Sequence, residues 1–378
     1  MDDQIIGSNE QLIQRIACKI RNAPTRLIPF HDYMQMCLYE PDLGYYMNGE
    51  TKIGKQGDFY TSSNIGSLMG EMLAAVMVRY WKSQPPSEAY LIAEWGGGNG
   101  RLADQILTEL QNSFPDYYNK VQYQIVDTSS YHRRLQIEQL QRHEQRVSIW
   151  KPDQWEKEHI ADYSIILSNE LLDAFPVHRI KKTKHHLYEI MVGCEEDTGR
   201  FIEALQPISK DSELHTAIEA DDLWGRLCEG QTAELCPGAG KWLASTACKL
   251  NKGLQLTIDY GDIAERLYTP DRMEGTLMCY YRHQAHSDPY RHIGEQDITA
   301  HVNFSACIRE GTKSGMTEWS LVTQKQFLLD AGILDKLQNH QVTDPFHPIA
   351  RRNRAIRQLL LGDGMAESFK VLTQKKGG

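Results

Sequence analysis

The stretch AEWGGGNGRLADQIL, residues 93–107, is the most informative part of this chain for its architecture. It places four glycines within the five residues 96–100, after a short apolar segment and before a helix-like pattern. Because glycine has no Cβ, a ligand can approach the backbone there and lie beside the N-terminus of the following helix. Two classes of cofactor use such a strand–loop–helix unit, namely dinucleotides and S-adenosyl-L-methionine (SAM).

The spacing of the glycines does not separate these two classes. The dinucleotide fingerprint G-x-G-x-x-G/A fails when it is counted from Gly96, because its sixth position is Arg101. Counted from Gly98, the fingerprint ends on Ala103 and fits. Its first glycine is then two residues further from the end of the strand than Gly96 is.

Glu94 favours SAM over a dinucleotide. It lies at the end of the apolar strand, two residues before Gly96, and therefore at the sheet edge where ligands bind in folds of this kind. A carboxylate there repels a pyrophosphate and attracts a cationic amino group, and SAM carries an ammonium, a sulfonium and no phosphate. The pattern E-x-G-x-G-x-G, with Gly98 and Gly100, thus predicts a SAM site, and the alternative is a plain turn with a capping acid.

Asp127 ends the next predicted strand, in QIVDTSS. A carboxylate at this position can accept hydrogen bonds from both ribose hydroxyls of a nucleoside. Because NAD enzymes use an acid in the same way, Asp127 indicates a nucleoside-bearing cofactor without choosing between the two classes. An N-cap role for the following helix is the alternative, and the two roles are compatible.

Short apolar strands alternate with amphipathic helices around these motifs, which predicts βαβ units and a parallel sheet. We predict one α/β domain over residues 86–378, with a helical extension over residues 1–85 and an inserted cap region at about 181–236. Hairpin strands are expected from Lys181 to Leu205. The strands of the sheet are predicted at AYLIAEW, VQYQIVD, RVSIW, DYSIILSNE and LQLTIDYG.

The stretch SNELLDAFPVHRI, residues 168–180, carries the second group of candidate residues. Asn169 and Glu170 follow an apolar strand directly and should emerge at the same sheet edge as the glycine loop. Asp173 shares a face with Glu170 if the intervening turn is helical. Paired carboxylates bind and orient a guanidinium, which is one acceptor for a methyl group. The alternative is that Glu170 and Asp173 only cap a helix N-terminus.

Composition limits the classes of protein that this chain can belong to. The chain has 378 residues, a net charge of −9 and eight cysteines without a C-x-x-C pair. We therefore expect reduced thiols, no nucleic-acid partner and a cytoplasmic location. The chain lacks a signal-peptide h-region and an apolar run of about 18 residues, so we expect no membrane span. The irregular spacing of the histidines between residues 283 and 301 favours no metal site.

The sequence resembles the MidA-like SAM-dependent methyltransferases from about Ile28 to Lys375. This family includes a mitochondrial complex I assembly protein that methylates arginine. The resemblance rests on motifs that occur in the family's order, namely GDFYTSS, EWGGGNGRLADQIL, SNELLDAFPVHRI, LTIDYG, GTLMCYYRH, GEQDITAHVNFSA, TQKQFLLDAGI and FKVLTQKK.

The resemblance implies a class I, Rossmann-like methyltransferase fold with a seven-stranded, mostly parallel sheet. It implies that GDFYTSS covers the cofactor and that the Asn169–Asp173 motif faces the methyl group. The implied catalytic residues are Asn169, Glu170 and Asp173. The implied cofactor-binding residues are Gly57, Asp58, Phe59, Thr61, Ser62, Glu94, Gly96, Gly97, Gly98, Asp127 and Asn169.

The sequence therefore predicts a SAM-dependent methyltransferase that releases S-adenosyl-L-homocysteine and methylates an arginine side chain of a partner protein. One alternative is an O- or N-methyltransferase acting on a small molecule. A second is a non-catalytic SAM-binding assembly factor, and a third is an NAD-dependent oxidoreductase. A homodimer is compatible with this sequence.

Overall fold

The computed structural model describes residues 8–49, 66–184, 186–339, 344, 346–361 and 368–377. Contacts divide the chain into two compact units. The first unit takes its described residues from 1–59, 172–243 and 260–310. The second unit takes its described residues from 60–171, 244–259 and 311–378.

The strands, in chain order, are β1 (Ile28–Pro29), β2 (Tyr90–Trp95), β3 (Val121–Val126), β4 (Val147–Trp150), β5 (Ser164–Asn169), β6 (His178–Thr183), β7 (His186–Cys194), β8 (Phe201–Pro207), β9 (Thr232–Leu235), β10 (Gly253–Asp262), β11 (Met278–Tyr281), β12 (Gln284–His286), β13 (Asp297–Thr299), β14 (Val302–Asn303), β15 (Glu318–Thr323) and β16 (Phe369–Lys376).

The helices, in chain order, are α1 (Glu10–Asn22), α2 (Phe30–Tyr39), α3 (Leu68–Lys82), α4 (Arg101–Ser113), α5 (Pro115–Tyr118), α6 (Ser130–Gln139), α7 (Pro152–Trp155), α8 (Glu213–Ala220), α9 (Leu223–Arg226), α10 (Pro237–Lys249), α11 (Ala264–Leu267), α12 (Phe304–Lys313), α13 (Gln324–Asp330) and α14 (Pro348–Leu361).

The main sheet of the second unit has the strand order β15-β16-β10-β5-β2-β3-β4. The pairs β10–β5, β5–β2, β2–β3 and β3–β4 are parallel, and β15–β16 is antiparallel. The two-residue strand β14 pairs in parallel with Gly261 and Asp262, the end of β10 that belongs to the first unit. The predicted α/β class with a mostly parallel sheet is confirmed.

The central strands form because their residues are apolar on both faces. Every residue of β2 is buried, and the first five residues of β5 are buried as well. Such continuous apolar strands are typical of a parallel sheet that is covered by helices on both sides. Each predicted strand segment of this sheet overlaps an observed strand, and the strand ends bring Glu94, Asp127 and Asn169 to one edge.

Helix α3 packs closely against α4 within the second unit. A Cβ on Gly70 would lie only 2.3 Å from the Cβ of Gln105, so the two helices approach each other at a residue without a side chain. Helix α3 belongs to the second unit, together with the main sheet, whereas α1 and α2 belong to the first unit. The helix is apolar along most of its length, which favours this burial.

The first unit is built on an antiparallel sheet with the order β1-β7-β6-β9, in which β8 also pairs with β7. The hairpin strands expected between Lys181 and Leu205 are therefore present as β7 and β8. Helices α1 and α2 bury Leu12, Ile16 and Phe30 in a hydrophobic cluster of this unit. A second cluster gathers α8, α9 and α11 around Ile180 of β6.

Candidate functional site

Polar side chains lie at the carboxyl ends of four neighbouring strands of the second unit. Glu94 is on β2, Asp127 follows β3, Asn169 ends β5 and Asp259 is on β10. The exposed fractions of Glu94, Asp127 and Asp259 are 2%, 6% and 0%, so three carboxyl groups are removed from solvent. Because parallel strands end at the same edge of a sheet, this arrangement gathers them at the place where such folds bind ligands.

The carboxyl group of Glu94 is held by a phenol on the adjacent strand. The hydroxyl of Tyr123 donates a hydrogen bond to Glu94 Oε2 at 2.9 Å, and Tyr123 is itself fully buried. Burial raises the pKa of Glu94 to about 7, the Tyr123 hydrogen bond lowers it, and the neighbouring Asp127 raises it again. A cationic group of a ligand would favour the ionised form, so the residue is suited to an ammonium.

The glycine loop turns sharply after β2. Gly96 has φ of +68°, and a Cβ there would lie 2.7 Å from Leu171 Cδ1, so only glycine fits without strain. Its N–H donates to the Val126 carbonyl at 3.0 Å, which ties the loop to β3. Gly96 and Gly98 remain partly exposed, so bare backbone is presented to a ligand.

The second half of the loop leads into α4. The N–H of Gly100 donates to the Gly97 carbonyl at 2.8 Å, and Gly100 is the N-cap of α4. A Cβ on Gly97 would lie 2.7 Å from Ile125 Cγ2, so this residue is confined by β3. The loop is therefore a rigid turn that presents backbone next to a helix N-terminus.

Both carboxylate oxygens of Asp127 accept hydrogen bonds at the start of the segment that follows β3. Its Oδ1 accepts a hydrogen bond from the Ser129 N–H at 2.9 Å, and its Oδ2 accepts one from Gln136 Nε2 at 2.9 Å. Burial raises the pKa of Asp127, and nearby His132 lowers it. The N-cap of α6 is Ser129, whose hydroxyl accepts from the His132 N–H, so the alternative role of Asp127 as the N-cap is wrong.

Sequence reasoning missed Tyr123 and Gln136. Gln136 has no exposed surface and donates to both the Gly98 carbonyl and Asp127. The only available signal is that Gln136 lies four residues after His132, which places both side chains on one face of a very polar helix. Tyr123 gives no signal by itself, because its partner lies on the neighbouring strand.

Asn169 and Glu170 lie together at the end of β5. Asn169 Nδ2 donates to Glu170 Oε1 at 3.1 Å, and the buried Asn169 Oδ1 has no hydrogen-bond partner among the described residues. Glu170 has φ of +52°, a conformation that costs a non-glycine residue on the order of 1–3 kcal/mol. The N–H of Glu170 donates to the Ile258 carbonyl of β10 at 2.9 Å, which holds the backbone in this conformation.

Asp259 is a further carboxylate that sequence reasoning missed. Its Oδ2 accepts a hydrogen bond from the Leu171 N–H at 3.1 Å, so β10 supports the backbone directly after Glu170. The residue lies within the motif LTIDYG, which the sequence indicated only as a buried strand. Its role became visible because β10 pairs with β5, with Ile258 opposite Asn169.

Asp173 belongs to the first unit and is 7% exposed. Residues 171–177 contain turns and bends but no helix, and β6 begins at His178. The Asp173 carbonyl accepts a hydrogen bond from the Ala300 N–H at 2.9 Å, a long-range contact that a helical turn would not make. The helical turn considered for this segment is therefore wrong, and so is the alternative that Glu170 and Asp173 cap a helix.

The remaining predicted residues of the cofactor site, Gly57, Asp58, Phe59, Thr61 and Ser62, lie outside the described residues. Within the described part of the chain, no group of three or more His, Cys, Asp or Glu side chains could hold a metal ion. None of the described helices is both long enough and apolar enough to cross a membrane.

Comparison with known proteins identifies a family. The model of the family described as "Putative S-adenosyl-L-methionine-dependent methyltransferase" matches residues 72–320. A Burkholderia thailandensis protein solved with bound S-adenosyl-homocysteine is 31% identical, with a TM-score of 0.86 over 100% of this chain and 94% of that chain. A native crystal structure from the same organism is also 31% identical and has a TM-score of 0.83, with the same coverage.

Curated relatives are also similar over most of the chain. The mitochondrial protein arginine methyltransferase NDUFAF7 of Xenopus tropicalis is 27% identical over 97% of this chain and 86% of that protein. The NDUFAF7 protein of Danio rerio is 27% identical over 87% of this chain and 78% of that protein.

Proposed function

We propose that this chain, which belongs to the family of S-adenosyl-L-methionine-dependent methyltransferases, methylates an arginine side chain of a partner protein. The bond between the SAM sulfur and the methyl carbon breaks as a bond forms between that carbon and a guanidinium nitrogen. The nitrogen loses a proton to water, and S-adenosyl-L-homocysteine leaves. SAM supplies an activated methyl group, so the protein has to bind and orient both reactants.

Glu94 is the observation that carries the cofactor assignment. Glu94 is 2% exposed and lies two residues before Gly96. A Cβ at Gly96 would clash with the Leu171 side chain, so the loop needs glycine there. We assign the cofactor ammonium to Glu94, the ribose hydroxyls to Asp127 and the close backbone contacts to Gly96, Gly97 and Gly98. A buried carboxylate beside a pyrophosphate would be unfavourable, which argues against a dinucleotide.

Glu170 is the residue that we assign to the acceptor. It directly follows β5, the strand next to β2, its carboxylate accepts a hydrogen bond from Asn169, and its strained backbone is supported from β10. Strained residues that the surroundings hold in place occur preferentially at functional sites. A carboxylate binds a guanidinium through charge-assisted hydrogen bonds, and the NDUFAF7 relatives are named as protein arginine methyltransferases.

The catalytic role of Asp173 stays a prediction. Its carboxyl group is nearly buried in the first unit, and it raises the pKa of Tyr280 after the larger effect of burial. We expect Asp173→Asn to lower methyl transfer with little effect on the Kd for SAM. Both quantities are measured with the assays that are described below for Glu170→Gln.

The test uses SAM labelled in its methyl group, the full-length protein and a heat-treated lysate as the source of acceptors. Labelled proteins are hydrolysed and examined for methylarginines, and the modified proteins are identified by mass spectrometry. We expect label in methylarginine. We expect Glu170→Gln to lower transfer by about 10- to 100-fold, the equivalent of one charge-assisted hydrogen bond, while the Kd for SAM changes by less than about 3-fold.

Glu138→Gln is the matched control, because Glu138 is an exposed carboxylate on α6. It should leave both transfer and SAM binding unchanged. Equal loss of SAM affinity in Glu170→Gln and Glu94→Gln would contradict the separate roles of these two carboxylates.

The same experiment separates the two alternative functions. Label that appears in small molecules instead of protein would favour the O- or N-methyltransferase of a metabolite. SAM binding without any labelled product would favour the non-catalytic assembly factor. We rank the arginine acceptor first because the NDUFAF7 relatives are named as protein arginine methyltransferases.

A cytoplasmic location and a homodimer also stay predictions. The NDUFAF7 relatives are mitochondrial proteins, so location is measured by fractionation of the source cells. The number of copies in the assembly is measured by light scattering coupled to size-exclusion chromatography.

A further inference from the structure

We propose that Gln136 is a positioning residue that couples the glycine loop to Asp127 and thereby sets the affinity for SAM. This inference rests on the proposed function, because it concerns the same cofactor. Gln136 lies on helix α6, outside the sequence motifs that carry the family resemblance.

The side-chain amide of Gln136 joins two parts of the candidate cofactor site. Its Nε2 donates to the Gly98 carbonyl at 2.9 Å and to Asp127 Oδ2 at 2.9 Å. A carboxamide nitrogen carries two N–H groups, so both donors are used. The position of the loop and the position of the Asp127 carboxylate are therefore fixed by the same atom.

The glycine loop lies close to Gln136. The residue has no exposed surface. A Cβ on Gly100 would lie 3.2 Å from Gln136 Cα, and a Cβ on Gly97 would lie 3.6 Å from Gln136 Nε2. Interiors as tightly packed as this one transmit small displacements, so a change at Gln136 would move both the loop and Asp127.

This geometry predicts an effect on binding and not on the chemical step. Both N–H groups of the Gln136 amide donate to Gly98 and Asp127, which we assign to cofactor binding. Glu170, which we assign to acceptor binding, is held instead by hydrogen bonds with Asn169 and Ile258. Loss of the Gln136 amide should therefore raise the Kd and the KM for SAM. The kcat at saturating SAM should stay nearly unchanged, because the acceptor residues keep their positions.

The first test is Gln136→Met, which keeps the length of the side chain and removes both hydrogen bonds. We expect the Kd for SAM to rise by about 10- to 100-fold, since one of the two acceptors is a carboxylate. Gln139→Met is the matched control on the same helix. Gln139 Nε2 donates to a different carboxylate, Asp104 Oδ2, at 3.1 Å and is exposed, so its loss should change the Kd by less than about 2-fold.

A double-mutant cycle tests whether Gln136 acts through Asp127. In the Asp127→Ala background, Gln136→Met should weaken SAM binding by a smaller factor than it does in the wild-type background, because one of its two partners is already gone. If Gln136→Met does not fold, Gln136→Asn takes its place, since it keeps the amide but shortens the reach by one methylene.

The outcomes are distinct. Wild-type protein that fails to bind SAM in calorimetry would refute the proposed function and this proposal with it. Wild-type binding together with an unchanged Kd in Gln136→Met, or in Gln136→Asn where that is measured, would refute the positioning role alone. If Gln136→Met weakens SAM binding by the same factor in the wild-type and Asp127→Ala backgrounds, the coupling through Asp127 is refuted.

Discussion

Glu94 lies between a buried phenol and the glycine loop, and these neighbours make its protonation state sensitive to pH near neutrality. Burial raises the pKa of this carboxyl group to about 7. A cationic ligand stabilises the ionised form, so binding has to remove the proton from those molecules that carry it. The proposed assignment of the SAM ammonium to Glu94 therefore predicts that the affinity for SAM depends on pH through this residue.

The sign of this linkage predicts weaker SAM binding at low pH. Below pH 7 the free protein carries a protonated Glu94, so the Kd for SAM should rise by up to about 10-fold for each unit that the pH falls. Above pH 7 the carboxylate is already ionised and this dependence should disappear. Calorimetric titrations between about pH 5.5 and 8 measure the slope.

Glu94→Gln removes the titrating group, and we expect it to weaken SAM binding at neutral pH and to abolish most of the slope. Glu138→Gln on the surface of α6 should keep the wild-type slope. A slope that is the same in Glu94→Gln and in the wild type would assign the titration to another group, of which Asp127 is the nearest candidate.

Among the secondary-structure elements, helix α4 of the strand–loop–helix unit packs closely against α3. Gly70 of α3 lies so close to α4 that a Cβ would approach Gln105 Cβ to 2.3 Å and its carbonyl carbon to 3.0 Å. The backbone part of this contact cannot rotate away, so one of the two helices would have to shift.

We therefore predict that Gly70→Ala lowers the free energy of unfolding by about 1–3 kcal/mol, although alanine is the better helix former. Gly238→Ala in α10 is the control, because the nearest atom to its Cβ would be Phe175 Cδ2 at 3.7 Å. That substitution should change the free energy of unfolding by less than about 1 kcal/mol, in either direction. Denaturant titrations followed by circular dichroism measure both variants. A stabilising Gly70→Ala would contradict the close packing of α3 on α4.

For the molecule as a whole, a ligand that binds only the folded chain stabilises it increasingly as the ligand concentration rises. SAM and S-adenosyl-L-homocysteine at about 100 times their Kd should each stabilise the protein by about 2.7 kcal/mol. NAD should give no stabilisation, because its pyrophosphate would lie against the carboxyl group of Glu94.

Thermal denaturation with each ligand in turn measures this difference as a shift in Tm. The Glu94→Gln variant should lose most of the shift with SAM at the same concentration. A shift with NAD that equals the shift with SAM would contradict the assignment of the cofactor.

Much of the second unit could be predicted from the sequence, because the signals there are local. The parallel strands of the main sheet are continuous apolar runs, and Gly96 has a backbone conformation that favours glycine. The positions of Glu94 and Asp127 followed from the strand ends that precede them. The turn after Glu170 was harder, because the Asp173 carbonyl pairs with the Ala300 N–H, and no local pattern reveals a partner so distant in the chain.

The α/β class, the glycine loop and the position of Glu94 at the end of β2 were all predictable from sequence, because the patterns that indicate them are local. The side chains that hold that loop and its carboxylates emerged only from the folded chain. Tyr123 meets Glu94 across 29 residues, Gln136 meets Gly98 across 38, and Asp259 meets Leu171 across 88. Hydrogen bonds of this kind exist only after strands have paired and helices have packed, so no local pattern of the sequence contains them.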